Sequence, residues 1–189
     1  MDTSMVFLIV VGVIILAVVF IYNGIISRAN AAQRAWANVI TQERQKNKII
    51  PHLQDVTEQY QQFESGVQEK ITALRSALGG LSSDKVDTNQ LAEVEAATRN
   101  LVQGMHIAVE SYPELKANEM FGKLMREIAE QQENIGAAIR IFNQNVEAFN
   151  NGIEIFPNSM VNSLLNKKSK LNTFNDSEAE AGFDYKPNF

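Results

Sequence analysis

The sequence predicts an all-α protein: an N-terminal transmembrane helix, three long amphipathic helices and a short C-terminal helix. Three observations predict it. Residues 5–22, MVFLIVVGVIILAVVFIY, carry no charge. From Trp36 onward apolar residues recur at steps of three and four, the spacing of one helix face. Between these runs stand Gly79-Gly80 and Pro113, residues that stop helices.

The first element follows from length. About 20 helical residues at ~1.5 Å each cross the ~30 Å hydrocarbon core of a bilayer. Ile25 and Ile26 carry the run past Asn23-Gly24. In lipid the backbone must satisfy its own hydrogen bonds, so even a stretch this rich in valine and isoleucine is helical. Met5, Phe7, Leu8, Ile14, Leu16, Phe20 and Tyr22 are the anchoring side chains. A cleaved signal peptide is the rival, and Ala29-Asn30-Ala31 resembles a cleavage site. A signal peptide, however, has a basic start and an apolar core of about 7–15 residues. Here the start is Met1-Asp2-Thr3-Ser4 and the run is longer, so the anchor reading is preferred. Every Lys and Arg follows the span, beginning with Arg28, Arg34, Arg44, Lys46 and Lys48. The excess of positive charge on the cytoplasmic side of membrane helices places the N-terminus outside and the domain in the cytoplasm, with a periplasmic domain as the alternative. The chain thus divides into an anchor (1–26), a helical domain (27–166) and a polar tail with aromatics (167–189).

Within the domain, Leu53, Val56, Tyr60, Phe63, Val67, Ile71, Leu74 and Leu78 read as the stripe of one helix ending at Gly79-Gly80. Upstream, residues 41–48 (TQERQKNK) hold no apolar side chain and read as a solvated helix continuing from the membrane. Pro51 either kinks that helix or opens a new one. Leu91, Val94, Ala97, Leu101, Met105 and Ala108 mark a second helix, capped by Asp87 or Thr88 and stopped at Ser111-Tyr112-Pro113. The third carries Phe121, Leu124, Ile128, Ile135, Ile139, Phe142, Val146, Phe149, Ile153 and Phe156, with one gap at Gln131 or Gln132. A short apolar helix at 160–165 follows. From Asn172 the composition is that of disorder, yet Phe174, Phe183, Tyr185 and Phe189 are expected to dock on the bundle or on a neighbouring copy.

Little of this points to catalysis. The net charge of −5 argues against nucleic acid as a partner. The absence of cysteine excludes disulfides, thiolate metal sites and a cysteine nucleophile. His52 and His106 belong to no metal motif, and neither a phosphate loop nor a nucleophile elbow occurs. No catalytic residue, cofactor, metal or small-molecule substrate is therefore expected. Glu127, Glu130 and Glu133 drift around the helix and read as a solvated face. Lys167, Lys168 and Lys170 either contact anionic lipid headgroups or close a helix C-terminus. Trp36, Phe63, Phe121, Phe142, Phe149 and Phe156 are expected at helix interfaces. Asn143 and Asn150 stand seven apart, each after a phenylalanine of the stripe. They are either exposed or interface amides of the kind that fix register and oligomer state.

Several blocks in order resemble the LemA family of bacterial membrane proteins: Tyr22-Asn23, Ala35-Trp36, Ile49-Ile50-Pro51-His52-Leu53, Glu110-Ser111-Tyr112-Pro113-Glu114-Leu115-Lys116-Ala117-Asn118, and Arg140-Ile141-Phe142-Asn143 with Phe149-Asn150 and Phe156-Pro157. The match spans nearly the whole chain. Phenylalanine at 142 and 149 replaces a common tyrosine, and Lys48-Ile49 falls where an Arg-x-Asp pair is frequent. The resemblance implies an inner-membrane anchor on an antiparallel long-helix bundle, without an assigned enzyme activity. Relatives are associated with membrane structures such as magnetosomes. The expected function is accordingly a membrane scaffold that touches lipid and assembles with its own copies. The alternative is a module that recruits another membrane or cytoplasmic protein through its apolar helix face.

Overall fold

The computed structural model describes residues 2–59, 64–112 and 118–175, except for the side chains of 56–59, 64 and 65. Its regular elements are helical: α1 (Thr3–Gln59), α2 (Glu64–Gly80), α3 (Thr88–Ser111), α4 (Glu119–Glu154) and α5 (Asn158–Val161), followed by a π-helical turn (Asn162–Asn166). Helix α1 dominates. Its 57 residues correspond to about 85 Å of helix at ~1.5 Å per residue. Residues before Ile25 are mostly bare of contacts, whereas from Ile25 onward one face is buried. The apolar segment therefore runs into the bundle as one helix. Pro51 lies inside α1, so the helix continues through it and no new helix starts there. The pyrrolidine removes one backbone donor at an exposed position, where water can satisfy the carbonyl left behind.

The single stripe expected from Leu53 to Leu78 is two helices. Gln54 of α1 accepts from Arg75 of α2, and Arg44 of α1 donates to the Leu81 carbonyl just beyond α2. These contacts run in opposite senses along the two helices, so α2 packs antiparallel to α1. The stripe concealed this because its threes and fours stay in phase across the reversal, with no glycine or proline from 52 to 65 to mark it. Among the described residues the bundle is built from the later part of α1 together with α2, α3 and α4.

Around α1 the others alternate in direction. Helix α4 packs antiparallel along it: Arg28 lies against Gly152, Trp36 meets Phe142, and Gln42 meets Gln131. Gly152 permits this approach, since a Cβ there would come within 2.8 Å of the Arg28 side chain. Helix α3 brings Glu95 and Thr98 to Lys46 of α1. The turn between α2 and α3 is pinned to α1 by three side chains. Arg44, Trp36 Nε1 and Gln33 donate to the carbonyls of Leu81, Ser82 and Ser83 at 2.9, 2.9 and 2.6 Å. Asp87, one of the two expected caps, accepts from the backbone of Asn89 and Gln90 at the start of α3. Asn118 does the same for Met120 and Phe121 of α4. One core joins Trp36, Ile40, Leu53, Ile71, Leu91, Leu101, Ile139 and Phe142. A smaller cluster of Ile25, Phe149 and Ile153 seals the end nearest the apolar segment.

Candidate functional site

Two places carry features that the sequence singles out, and a third emerges only from the structure. The first is the apolar length of α1, whose most apolar window has a mean hydropathy of 3.3 with none of it buried. Met5, Phe7, Leu8, Ile14, Leu16, Phe20 and Tyr22 all lie exposed on it. This helix is long and apolar enough to cross a membrane.

The second place is the aromatic stripe. Trp36, Phe121, Phe142 and Phe149 are buried, with Trp36 and Phe142 at a ring distance of 5.2 Å. Phe63 lies outside the described residues. Phe156 contradicts its expected interface role, being 77 % exposed. Helix α4 ends at Glu154 and Ile155 is extended (ψ 144°), so Phe156 no longer keeps the phase of the stripe.

Asn143 and Asn150 hold neither of the positions expected of them. Each clamps backbone of the C-terminal segment of its own chain. Asn143 donates to the Phe174 carbonyl (2.7 Å) and accepts from the Phe174 N–H (2.8 Å). Asn150 treats Leu171 in the same way, at 2.9 and 3.0 Å. A third amide, Asn162, clamps Lys168 at 2.9 and 3.0 Å. The clamped residues are 168, 171 and 174, a step of three. Seven helical residues rise about 10.5 Å, close to the reach of three residues of nearly extended chain, about 10 Å. The seven-residue spacing of Asn143 and Asn150 therefore matches the three-residue spacing of Phe174 and Leu171. Phe174 is buried in the main core, as the tail aromatics suggested. Phe183, Tyr185 and Phe189 lie outside the described residues. Lys167, Lys168 and Lys170 are exposed, with Lys170 paired to Glu154.

The third place is one that sequence reasoning missed. Residues 41–48, expected to be solvated, contribute two buried ionisable side chains, Glu43 and Lys46. Lys46 Nζ lies 2.8 Å from Glu43, 3.0 Å from Glu95 and 2.9 Å from Thr98 Oγ1. Gln132 of α4 donates to the other Glu95 oxygen. Glu43, Glu95 and Gln132 are fully buried, and Lys46 almost so. Two carboxyls around one ammonium leave one negative charge too many for an interior of low polarity. Burial pushes the Glu43 carboxyl well above the usual range, and Lys46 only partly offsets this. For Glu95 burial is outweighed by Lys46 and by hydrogen bonds from Glu43, Lys46 and Gln132, which bring it below the usual range. Burial also disfavours the Lys46 ammonium, but the two carboxyls overcome that and raise it. These directions favour a proton on Glu43 and a negative charge on Glu95, which Lys46 neutralises. The cluster ties α1, α3 and α4 together. The available signals were Glu95 and Thr98 in phase with Leu91 and Leu101, and the gap that Gln132 leaves in the α4 stripe.

At the end of the bundle away from the apolar segment, a groove of about 730 Å³ lies between α1 and α4. His52, Asp55, Lys123, Leu124, Glu127 and Glu130 line it. Glu127, Glu130 and Glu133 are exposed, as a solvated face should be.

The model of the LemA family matches residues 35–184, a stretch that begins beside Trp36 and takes in the buried cluster and all three clamped positions. Over 150 residues the chain is 26 % identical to Protein LemA of Metamycoplasma hominis, an alignment covering 79 % of this chain and 67 % of that protein. With most of the bundle and its strap inside the matched region, the chain belongs to the LemA family.

Proposed function

We propose that this protein is a membrane-anchored structural post. It holds a stiff four-helix bundle at a fixed height and orientation on the bacterial inner membrane and acts as a scaffold through lateral association of copies. The single observation that carries the reading is α1, which continues from the apolar segment into the bundle without a break. A tethered enzyme or a loosely recruited domain needs no such rigid coupling; a scaffold does. The charge asymmetry around the span supports a bundle on the cytoplasmic side. Support for self-association does not come from the aromatic stripe, because the chain covers Trp36, Phe142 and Phe149 with its own helices and strap. It rests on the exposed span, where helices of neighbouring copies can pack in lipid.

The groove near His52 favours a second reading, recruitment of another protein at the far end of the post. Its rim mixes Asp55, Glu127 and Glu130 with Lys123 and Arg126 around Met120 and Leu124, a surface suited to a polar partner rather than to a lipid. Light scattering of the full chain in native nanodiscs, with electron microscopy of the same sample, separates the two. A uniform assembly with its anchors on one side is expected of the scaffold. A monomer would overturn self-association and leave recruitment as the working function.

A further inference from the structure

Among the described residues, eight large apolar side chains are exposed outside the apolar N-terminal segment. Ile107, Met120 and Ile141 are scattered over the bundle, as single surface hydrophobes usually are. The other five, Ile155, Phe156, Met160, Leu164 and Leu165, fall within eleven residues between the end of α4 and the end of the π turn. Clustering of this kind marks a contact surface.

Its location decides what it contacts. Ile21, Ile25 and Ala29 of α1 pack with Phe149 and Ile153, so α4 ends alongside the last turns of the apolar helix. Asn166 Nδ2 donates to the Tyr22 carbonyl at 3.4 Å, which ties the π turn to the same level. The exposed cluster is therefore continuous with the surface that the anchor presents to lipid. Three of its polar side chains spend their donors internally. Asn158 donates to the Gly152 carbonyl (3.0 Å), Ser163 to Met160 (2.9 Å) and Asn162 to Lys168 (2.9 Å). Where water is scarce, backbone carbonyls must be satisfied by the protein itself. Lys167 and Lys168 then follow directly, exposed at the cluster's edge. Cations beside an apolar face suit the anionic side of a membrane surface.

We infer that residues 155–168 form a foot that rests in the headgroup region of an anionic bilayer. Phe156, Met160, Leu164 and Leu165 insert at the boundary between headgroups and acyl chains, and Lys167 and Lys168 contact lipid phosphates. The foot rests on the anchored reading of α1 and adds a second, lateral contact with the same leaflet. It stops the post from swivelling about the single span.

The chain contains no cysteine, so single nitroxide labels can be placed without background. Phe156→Cys, Leu164→Cys, Phe20→Cys and Ile107→Cys would each be labelled in the full chain. The samples are reconstituted in nanodiscs of phosphatidylcholine with phosphatidylglycerol, and collision with oxygen is compared with collision with a water-soluble nickel chelate. The foot predicts a lipid signature at Phe156 and Leu164, shallower than at Phe20, and an aqueous signature at Ile107. It also predicts that Lys167→Gln with Lys168→Gln moves Phe156 severalfold toward the aqueous signature. Aqueous labels at Phe156 and Leu164 with Phe20 still in lipid would overturn the foot and leave the anchor standing. Mutual dipolar broadening at Phe156 without oxygen access would assign the patch to a second copy and overturn it as well. An aqueous label at Phe20 would overturn anchor and foot together.

Discussion

Replacing Lys46 by methionine tests the buried cluster most directly. Methionine keeps the length and apolar stem of the side chain but removes the ammonium. Contacts at 2.8, 3.0 and 2.9 Å to Glu43, Glu95 and Thr98 vanish. Glu95 is then a fully buried carboxylate held by Gln132 and its Glu43 neighbour. Breaking one partner of a buried ion pair costs about 3–5 kcal/mol, mostly because the other charge is stranded. At roughly 2–4 °C per kcal/mol for a chain of this size, Lys46→Met lowers the melting temperature by about 6–20 °C. Adding Glu95→Gln removes the stranded charge while keeping a hydrogen-bonding group for Gln132. The double variant is thus expected to recover most of the loss, a non-additivity that unrelated sites would not show. Thermal unfolding of the full chain in detergent, followed by circular dichroism, measures both. If Lys46→Met stays within about 0.5 kcal/mol of the parent, as ordinary surface changes do, the reasoning is refuted.

The same cluster makes stability depend on pH. Folded Glu43 keeps its proton where the unfolded chain has lost it, so its contribution falls as pH rises from the ordinary glutamate range toward its raised value. Glu95 acts oppositely: its contribution is present above the ordinary range and lost as pH falls through its lowered value. Denaturant titrations above neutrality should accordingly find Glu43→Gln more stable than the parent and Glu95→Gln less stable; equal effects would sink the assignment of the proton. Asn143→Ala combined with Asn150→Ala removes four clamping bonds, each contributing about 0.5–1.5 kcal/mol net. Hydrogen exchange at Leu171 and Phe174 should then accelerate by at least about tenfold, one decade per ~1.4 kcal/mol, while α1 amides stay protected. Unchanged exchange would mean that Phe174 alone holds the strap. Phe149→Ala should cost about 3–5 kcal/mol through lost burial and cavity formation, whereas Phe156→Ala should stay within about 0.5 kcal/mol. Melting curves showing similar losses at both positions would contradict the placement of Phe156 outside the bundle.

Much of the fold was legible because burial leaves a periodic trace. The faces of α3 and α4 and the exposed apolar helix follow from spacing, and residue type narrowed the α3 cap to Asp87 or Thr88, of which Asp87 serves. The reversal between α1 and α2 did not, since a helix pair whose stripes stay in phase looks like one long helix. The buried charges were hidden for a different reason. A run such as TQERQKNK is polar by composition, and only a partner from α3 or α4 can make its interior members tolerable. The asparagine heptad was visible as a pattern but not as a purpose. Its target is backbone, which has no residue code to match. Phe156 shows the converse limit: a residue can keep the spacing of a stripe after the helix that gives the spacing meaning has ended.

The unbroken α1 also has a geometric consequence for any array built from this protein. One residue inserted between the apolar segment and Ile25 would turn everything above it by about 100° and lift it by ~1.5 Å. In such an array each copy would stand with a set compass bearing: where the apolar segment's packing face pointed, the groove beside His52 would point at a constant offset. Copies that meet through their spans would present those grooves in a repeating direction, giving the membrane surface a pattern with a handedness that is written in the length of one helix.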